Sequence, residues 1–310
     1  MTQAGSSCEL SLAADRALFS IFADPSRVSE VTNPQQTNGT DNRFAPNCPI
    51  VGIWRVGQAI HQSEWATLSL AQPADAIDSP RWDYVIKTAT NTEAESVRQI
   101  DGFVAAAANV MHPNLVAVLD SSSNSQMPYL VMPKLEGESM DRHLTASPAK
   151  KLPVALWLVR QTAQALDSMH ESGWIHGDVK PENVMVGPRG HATLVDLGFA
   201  TRIHSVRNRL FRGTPDYASP ESMSGQHAAL PAMDVFSLGR MLWQWMARIE
   251  PVSQVVLEPV ADLVETMIAE NPADRPAAST VVKQLLRLEI ETLGRHIGPG
   301  EVQHQQRRAA

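Results

Sequence analysis

A chain of 310 residues, 43% hydrophobic and 19% charged, has the composition of a globular protein with one or two cores. Its formal charge of −7 argues against a general nucleic-acid binder, and no apolar run reaches the roughly 18 residues needed to span a bilayer. The two cysteines, Cys8 and Cys48, have neither the number nor the spacing of a disulfide framework or a zinc site. With no basic region leading into an apolar stretch at the N-terminus, a reducing, cytoplasmic setting is the expectation.

Leu10, Ala14, Leu18, Ile21 and Phe22 fall roughly on one face of a short amphipathic helix, and 26–49, rich in Asn, Thr, Gln and Pro, reads as a linker. From Ile50 the pattern becomes strand-like, over Ile50–Ile60, Trp65–Ala71 and Trp82–Thr88. Asn91 to Val110 reads as a helix, with Glu93 and Glu95 where carboxylates suit the dipole. Leu115–Leu119 and Tyr129–Met132 read as two further strands. Beyond Leu135 the chain turns helical. Pro153 opens one helix and Gly173 closes it, and Val235–Ile249, Val255–Glu270 and Ser279–Leu293 follow. The polar stretch 295–310 reads as a frayed tail.

The densest polar cluster is Trp174-Ile175-His176-Gly177-Asp178-Val179-Lys180-Pro181-Glu182-Asn183-Val184-Met185, followed by Val195-Asp196-Leu197-Gly198-Phe199. Short apolar pairs flank each polar run, which anchors a loop while its polar residues face a cleft. Phosphoryl transfer needs a positioned triphosphate, a charge-neutralising metal and an aligned hydroxyl. Asp178 can accept or orient the hydroxyl proton, and Lys180 can stabilise the moving phosphoryl group. Asn183 and Asp196 offer the hard oxygens that Mg²⁺ takes alongside water and phosphate. Gly198 would let the backbone turn after Asp196.

The first segment resembles the catalytic loop of eukaryotic-type (Hanks-type) serine/threonine protein kinases, and Asp196-Leu197-Gly198 resembles their metal motif. Gly213-Thr214-Pro215-Asp216-Tyr217-Ala218-Ser219-Pro220-Glu221 resembles the end of the activation segment. Arg275 matches the arginine that pairs with the Glu221 position, and Asp234 opens a segment similar to the central helix of the large lobe. The resemblance covers about Val51 to Leu288. It implies an α+β, bilobal fold: a small antiparallel β lobe with one helix at 49–135, and a larger, mainly helical lobe at 136–294. Residues 1–48 and 295–310 would lie outside it. The resemblance further implies ATP and Mg²⁺ as cofactors, a protein hydroxyl as acceptor, and neither a nucleic-acid partner nor a membrane segment. Asp178 and Lys180 would be catalytic, Asn183 and Asp196 would hold the metal, and Lys87 would contact the α- and β-phosphates. Ile60, Leu68, Met132, Leu135 and Met185 would surround the adenine, with Met132 behind it and backbone groups of 133–135 bonding to it.

The chain departs from the family pattern in several places. In register, Ile60 to Leu68 would be the glycine-rich loop, but His61, Ser63 and Ala66 stand where glycines allow close approach to phosphate, and Glu64 adds negative charge. Phe103 stands where the small-lobe helix normally carries the glutamate that pairs with Lys87, which leaves Glu95 as the candidate partner. Gly177 replaces the arginine that reads activation-loop phosphate, so dependence on such phosphorylation should be weak. The basic stretch from Thr201 to Arg212 could dock acidic substrate or phosphate. The short connection from Ile249 to Val260 lacks the family's usual extra helix. Two other readings stay open: a pseudokinase scaffold on the same fold, favoured by the altered loop, and a small-molecule kinase of the aminoglycoside-phosphotransferase type, which shares His176-Gly177-Asp178.

Overall fold

The computed structural model describes residues 48–296 apart from 77, 78, 92, 124–127, 147, 207–212, 226 and 227. The expected helix at 10–22, nearly all of the linker, most of the C-terminal tail and Arg207, Arg209 and Arg212 lie outside the described residues.

The first part of the chain forms strands β1 (Ile50–Val51), β2 (Trp54–Gln62), β3 (Ala66–Pro73), β4 (Tyr84–Ala89), β5 (Asp120–Ser122) and β6 (Tyr129–Pro133). They pair antiparallel in the order β1-β2-β3-β4-β6-β5. β4 lies between β3 and β6, so Val85, Ile86 and Lys87 are buried in succession instead of alternating with exposed residues. Ile86 packs with Trp54, Ala71, Tyr129 and Val131. The fifth strand sits later than the expected Leu115–Leu119. Leu115 and Val116 are buried and bridge instead to Leu194, and pairing with β6 covers only 120–122 after the Leu119 N–H reaches Val131 O. Burial of an apolar run does not by itself identify its hydrogen-bonding partner.

Helix α1 (Ala94–Ala107) is the single helix described between these strands. Ser96, Gln99, Ile100, Phe103 and Ala106 are buried at the three- and four-residue spacing of one helical face. Just upstream, the Asn91 carboxamide oxygen accepts from the Glu93 N–H and the Ser96 hydroxyl, at 3.0 and 2.8 Å.

The remainder is mainly helical: α2 (Met140–Thr145), α3 (Leu152–Glu171), α4 (Pro220–Ser224), α5 (Pro231–Met246), α6 (Gln254–Met267) and α7 (Ala278–His296). Pro153 lies in the first turn of α3, where its missing N–H costs nothing. Gly173 follows the helix at φ 81°, the left-handed conformation that glycine adopts freely. Short strands fit between the helices. β7 (Glu138–Ser139), β9 (Val184–Val186) and β10 (Ala192–Leu194) form one small sheet, and β8 (Trp174–Ile175) pairs with β11 (Thr201–Arg202). α3 packs along α7 and against α5. One apolar core runs from Ile100, Phe103 and Leu130 on the sheet side to Leu166, Val184 and Leu242 on the helical side. The architecture is the expected α+β arrangement of an antiparallel sheet lobe with a helix and a larger helical lobe.

Candidate active site

The loop after β8 is held by a buried carboxylate. Asp234, in the first turn of α5, accepts the backbone N–H groups of His176 and Gly177 at 2.8 and 2.9 Å, and meets His170 Nε2 at 2.9 Å. The His176 ring is fully buried. Its Nε2 lies 3.0 Å from Val195 O, and its Nδ1 accepts the Asp178 N–H at 3.2 Å. A carbonyl only accepts and a backbone N–H only donates, so the ring carries its proton on Nε2. The Val195 N–H in turn donates to Asn183 O at 2.8 Å. These bonds set the loop carrying Asp178 and Asn183 directly against the residue preceding Asp196.

Within that loop the buried Asp178 carboxylate receives three hydrogen bonds and one ion pair. The Thr214 N–H and hydroxyl donate to Oδ1 at 3.0 and 2.9 Å, while Asn183 Nδ2 and Lys180 Nζ lie 3.0 and 3.1 Å from Oδ2. Lys180 also donates to the Thr214 hydroxyl at 2.8 Å. Asn183 Nδ2 donates a second time, to Asp178 O at 2.8 Å, so both amide hydrogens are engaged and Oδ1 is left as the acceptor side.

An apolar cleft lies between sheet and helical lobe, lined by Leu68, Val85, Lys87, Phe103, Met132, Pro133, Leu135, Met185, Val195 and Asp196. Leu68, Lys87, Met132, Leu135 and Met185 thus meet around one hollow, whereas Ile60 is not among the lining residues. β2 shifts register between Val56 and Ala59 and again between Ala59 and His61, and such a bulge breaks the alternation on which an inward-facing Ile60 depends. Val85 was missed, although it is two residues from Lys87 on one strand and so shares its face. Asp178 lines a second, smaller hollow with Gly213, Thr214 and Tyr217. The two carboxylates therefore line different hollows, joined by the backbone bonds around Val195.

Lys87 is buried, and its Nζ lies 2.6 Å from Asp196 Oδ1. The expected Glu95 instead pairs with Arg98 at 2.7 Å, because residues three apart on a helix are neighbours. On the cleft-facing side of α1, Phe103 holds the position opposite Lys87, whose Nζ lies 5.3 Å from the ring centroid. Asp196 itself takes the left-handed conformation, at φ 62° and ψ 75°, which is uncommon for a residue with a Cβ. Asp196, not Gly198, makes the turn. Gly198 supplies space, since an added Cβ would stand 3.1 Å from Asp196 Oδ1 and 3.3 Å from Gln99 Oε1. The Gly198 N–H donates to Asp196 Oδ1 at 3.2 Å.

The hairpin between β2 and β3 is closed on itself. Ser63 Oγ accepts the N–H groups of Trp65 and Ala66, at 3.4 and 3.1 Å, and donates to Ala66 O at 3.1 Å. The Ser63 N–H also reaches Ala66 O, at 2.8 Å. The Thr90 hydroxyl donates to Ser63 O at 3.1 Å, and the Thr90 N–H to Trp65 O at 3.0 Å. The Trp65 ring meets the edge of Phe199 with centroids 6.0 Å apart.

Further along, Arg275 grips Glu221 with two contacts, Nη1 to Oε1 at 2.6 Å and Nη2 to Oε2 at 2.9 Å. In the basic stretch after Asp196, the described Arg202 stacks on the Trp174 ring, 4.5 Å from its centroid.

Burial alone would raise the carboxyls of Asp196, Asp234 and Glu221. The opposing contributions together outweigh it and hold each below the usual carboxylate range: for Asp196 chiefly the charge and hydrogen bond of Lys87, for Asp234 the hydrogen bond and charge of His170 with His176 and the Gly177 N–H, and for Glu221 the hydrogen bonds of Arg275, its own backbone N–H and Ser219 with the Arg275 charge. A carboxyl depressed in the folded state adds stability that is fully present above its unfolded value of about 4 and is lost as pH falls through the lower folded value. The denaturant midpoint should therefore stay level from about pH 7 to 5 and fall steeply below about 4. A midpoint unchanged down to about pH 3 would contradict the depressed carboxyls.

Among the described residues no three His, Cys, Asp or Glu side chains stand together as a metal cage. The Asn183 amide oxygen and the Asp196 carboxylate are hard oxygens of the type that a hard cation takes alongside phosphate and water. No helix among the described residues is long and apolar enough to cross a membrane.

Comparison with known proteins agrees with this architecture. Residues 79–256 match the family model described as protein kinase domain. The chain is 27% identical over 276 residues to the serine/threonine-protein kinase PkaA of Streptomyces coelicolor, covering 81% of this chain and 49% of that protein. It is 27% identical over 259 residues to the serine/threonine-protein kinase PknA of Mycobacterium tuberculosis, covering 73% and 60% respectively. It is 28% identical over 187 residues to the cAMP-dependent protein kinase type 3 of Saccharomyces cerevisiae, covering 60% and 46%. The chain thus spans about half to three fifths of the length of these relatives. With more than half of its residues inside the family match, and the sheet lobe, cleft and loops arranged as described, this chain belongs to the protein kinase domain family.

Proposed function

We propose that this chain is a serine/threonine protein kinase that transfers the γ-phosphoryl group of ATP to a protein hydroxyl. The reading rests above all on the Asp178 cluster, in which one buried carboxylate gathers Lys180, Asn183 and Thr214 beside the segment leading to Asp196. The kinase unit is proposed as residues 49–135 and 136–294, with 1–48 and 295–310 outside it.

The adenine occupies the apolar cleft against Leu68, Val85, Met132, Leu135 and Met185. Pro133 has no N–H and the Lys134 N–H donates to Asp83 O at 2.9 Å, so Leu135 supplies the backbone donor in this stretch. Lys87 holds phosphate oxygens. Asn183 and Asp196 would hold Mg²⁺, which when bound neutralises phosphate charge. Oδ1 of Asp178 already accepts two hydrogen bonds, whereas Oδ2 accepts one, from Asn183, with the Lys180 ammonium paired beside it. Lys180 moves from Oδ2 to the phosphoryl oxygens, and Oδ2 orients the acceptor hydroxyl and takes its proton. Thr214, bonded to both side chains, keeps Asp178 in place as Lys180 moves.

Incubating the full chain with radiolabelled ATP, Mg²⁺ and a generic basic protein should place label on serine or threonine, and ATP with Mg²⁺ should raise the melting temperature. Neither label nor shift would replace this reading with a scaffold on the same fold. The self-bonded Ser63 hairpin and the phenylalanine at 103 are the observations that favour that alternative. Asp196→Ala should abolish the Mg²⁺ dependence of nucleotide affinity, read by titration with Mg²⁺ against titration with EDTA. A dependence equal to that of the unmodified chain would remove Asp196 from the metal site.

A further inference from the structure

The hairpin at 62–66 carries an inference that rests on the proposed nucleotide site and concerns what part of the nucleotide that site reads. A phosphate held under a hairpin is bound chiefly by backbone N–H groups at the tip, free and convergent. Here three of the tip donors, those of Ser63, Trp65 and Ala66, are engaged within the hairpin, and the Glu64 N–H is the one tip donor that makes no bond there. The Trp65 and Ala66 N–H groups both point to Ser63 Oγ, and the Ser63 N–H points to Ala66 O. Thr90 fastens the tip from below through Ser63 O and Trp65 O, and Trp65 rests on Phe199, in the segment that follows Asp196. Releasing these amides means breaking the Ser63 bonds as well as moving the loop. The Glu64 side chain, exposed at the same tip, adds repulsion toward an anion.

The cleft beneath, in contrast, is almost wholly apolar apart from Lys87 and Asp196, which pair with one another at 2.6 Å, so what Lys87 gains toward phosphate and Asp196 toward Mg²⁺ in the proposed complex is offset by the loss of that pair. We propose that Ser63 is a specificity-determining residue: by capping the hairpin amides it makes the site recognise the adenosine moiety, with little discrimination by the number of phosphates attached. Hydrogen bonds to a charged group are each worth roughly tenfold or more in affinity, so two capped amides withhold about a hundredfold preference for the triphosphate.

The test measures Kd for adenosine, ADP and ATP with Mg²⁺ by calorimetry on the full chain and on Ser63→Ala and Ser63→Gly. The unmodified chain should bind the three ligands within about fivefold of one another. Ser63→Ala, which keeps a Cβ but removes Oγ, should tighten ATP binding roughly tenfold or more and leave adenosine unchanged. Ser63→Gly should do the same. A gain in Ser63→Gly alone would overturn capping and assign the effect to the Cβ. A preference for ATP of about a hundredfold in the unmodified chain would overturn the inference outright. A phosphotransfer assay run in parallel separates the two readings. Strong ATP preference with transfer leaves the kinase intact and removes this inference; equal affinities without transfer do the reverse; no binding of any ligand removes both.

Discussion

Replacing Asp178 with asparagine is expected to lower phosphoryl transfer roughly thousandfold, the scale set by removing a positioned base. Asparagine keeps the size of the side chain but presents an NH₂ where a carboxylate oxygen stood. That group cannot take a proton, and it faces either Lys180, which is ion-paired with Asp178, or Thr214, which donates to it. Nucleotide affinity should change little, because Asp178 is not among the residues lining the apolar cleft. The check is single-turnover transfer of radiolabel alongside a nucleotide Kd. Label incorporation at the unmodified rate would end the assignment of Asp178 as the base. The alanine variant is a poorer probe. It removes the ion-pair partner of Lys180 and a hydrogen-bond acceptor of Asn183, so lost structure would mingle with lost chemistry.

The second large effect is on stability. Arg275→Ala should cost about 3–5 kcal/mol, because it strands the buried Glu221 carboxylate. The guanidinium does more than pair with Glu221. Nε donates to Ala269 O at 2.8 Å, Nη1 to Ala232 O at 3.0 Å and Nη2 to Glu270 O at 3.1 Å, so every donor is used. It also lies 4.9 Å from the Phe236 ring centroid. Through these bonds one side chain ties α4, the start of α5 and the segment after α6. The melting temperature should fall by about 10 °C for a domain of this size. Arg275→Lys should rescue little of it, since an ammonium cannot reproduce the two-pronged geometry. A fall of under about 2 °C for Arg275→Ala would show that the pair contributes nothing net.

Much of this protein is legible in its residue order. Val, Ile and Thr runs bounded by turn residues mark the sheet lobe, and the spacing of Leu156, Val159, Ala163 and Leu166 marks α3, with Pro153 and Gly173 at its two ends. The loop at 174–185 and the Asp196 motif stand out because short-range chemistry leaves a short-range signature: polar groups pinned between apolar pairs. Local order of this kind follows from backbone sterics and side-chain periodicity, which neighbouring residues alone dictate.

Other features required the folded chain. Lys87 meets Asp196 across 109 positions, and nothing near either residue announces the pairing. Glu95 was the nearer acid by sequence, but it lies beside Arg98 on α1, and the face of that helix turned to Lys87 carries Phe103. Strand β5 began at Asp120 because its ladder with β6 starts there, and β2 shifts register on the two sides of Ala59, next to Ile60, which is not among the residues lining the cleft. The Ser63 cap, too, exists only once the hairpin has closed. Residue order thus determined the elements and the polar loops, which are governed by contacts a few residues apart. Packing of distant segments decided which charges meet, which strand face turns inward and which amides stay free, because those depend on registers and approaches that no local window contains.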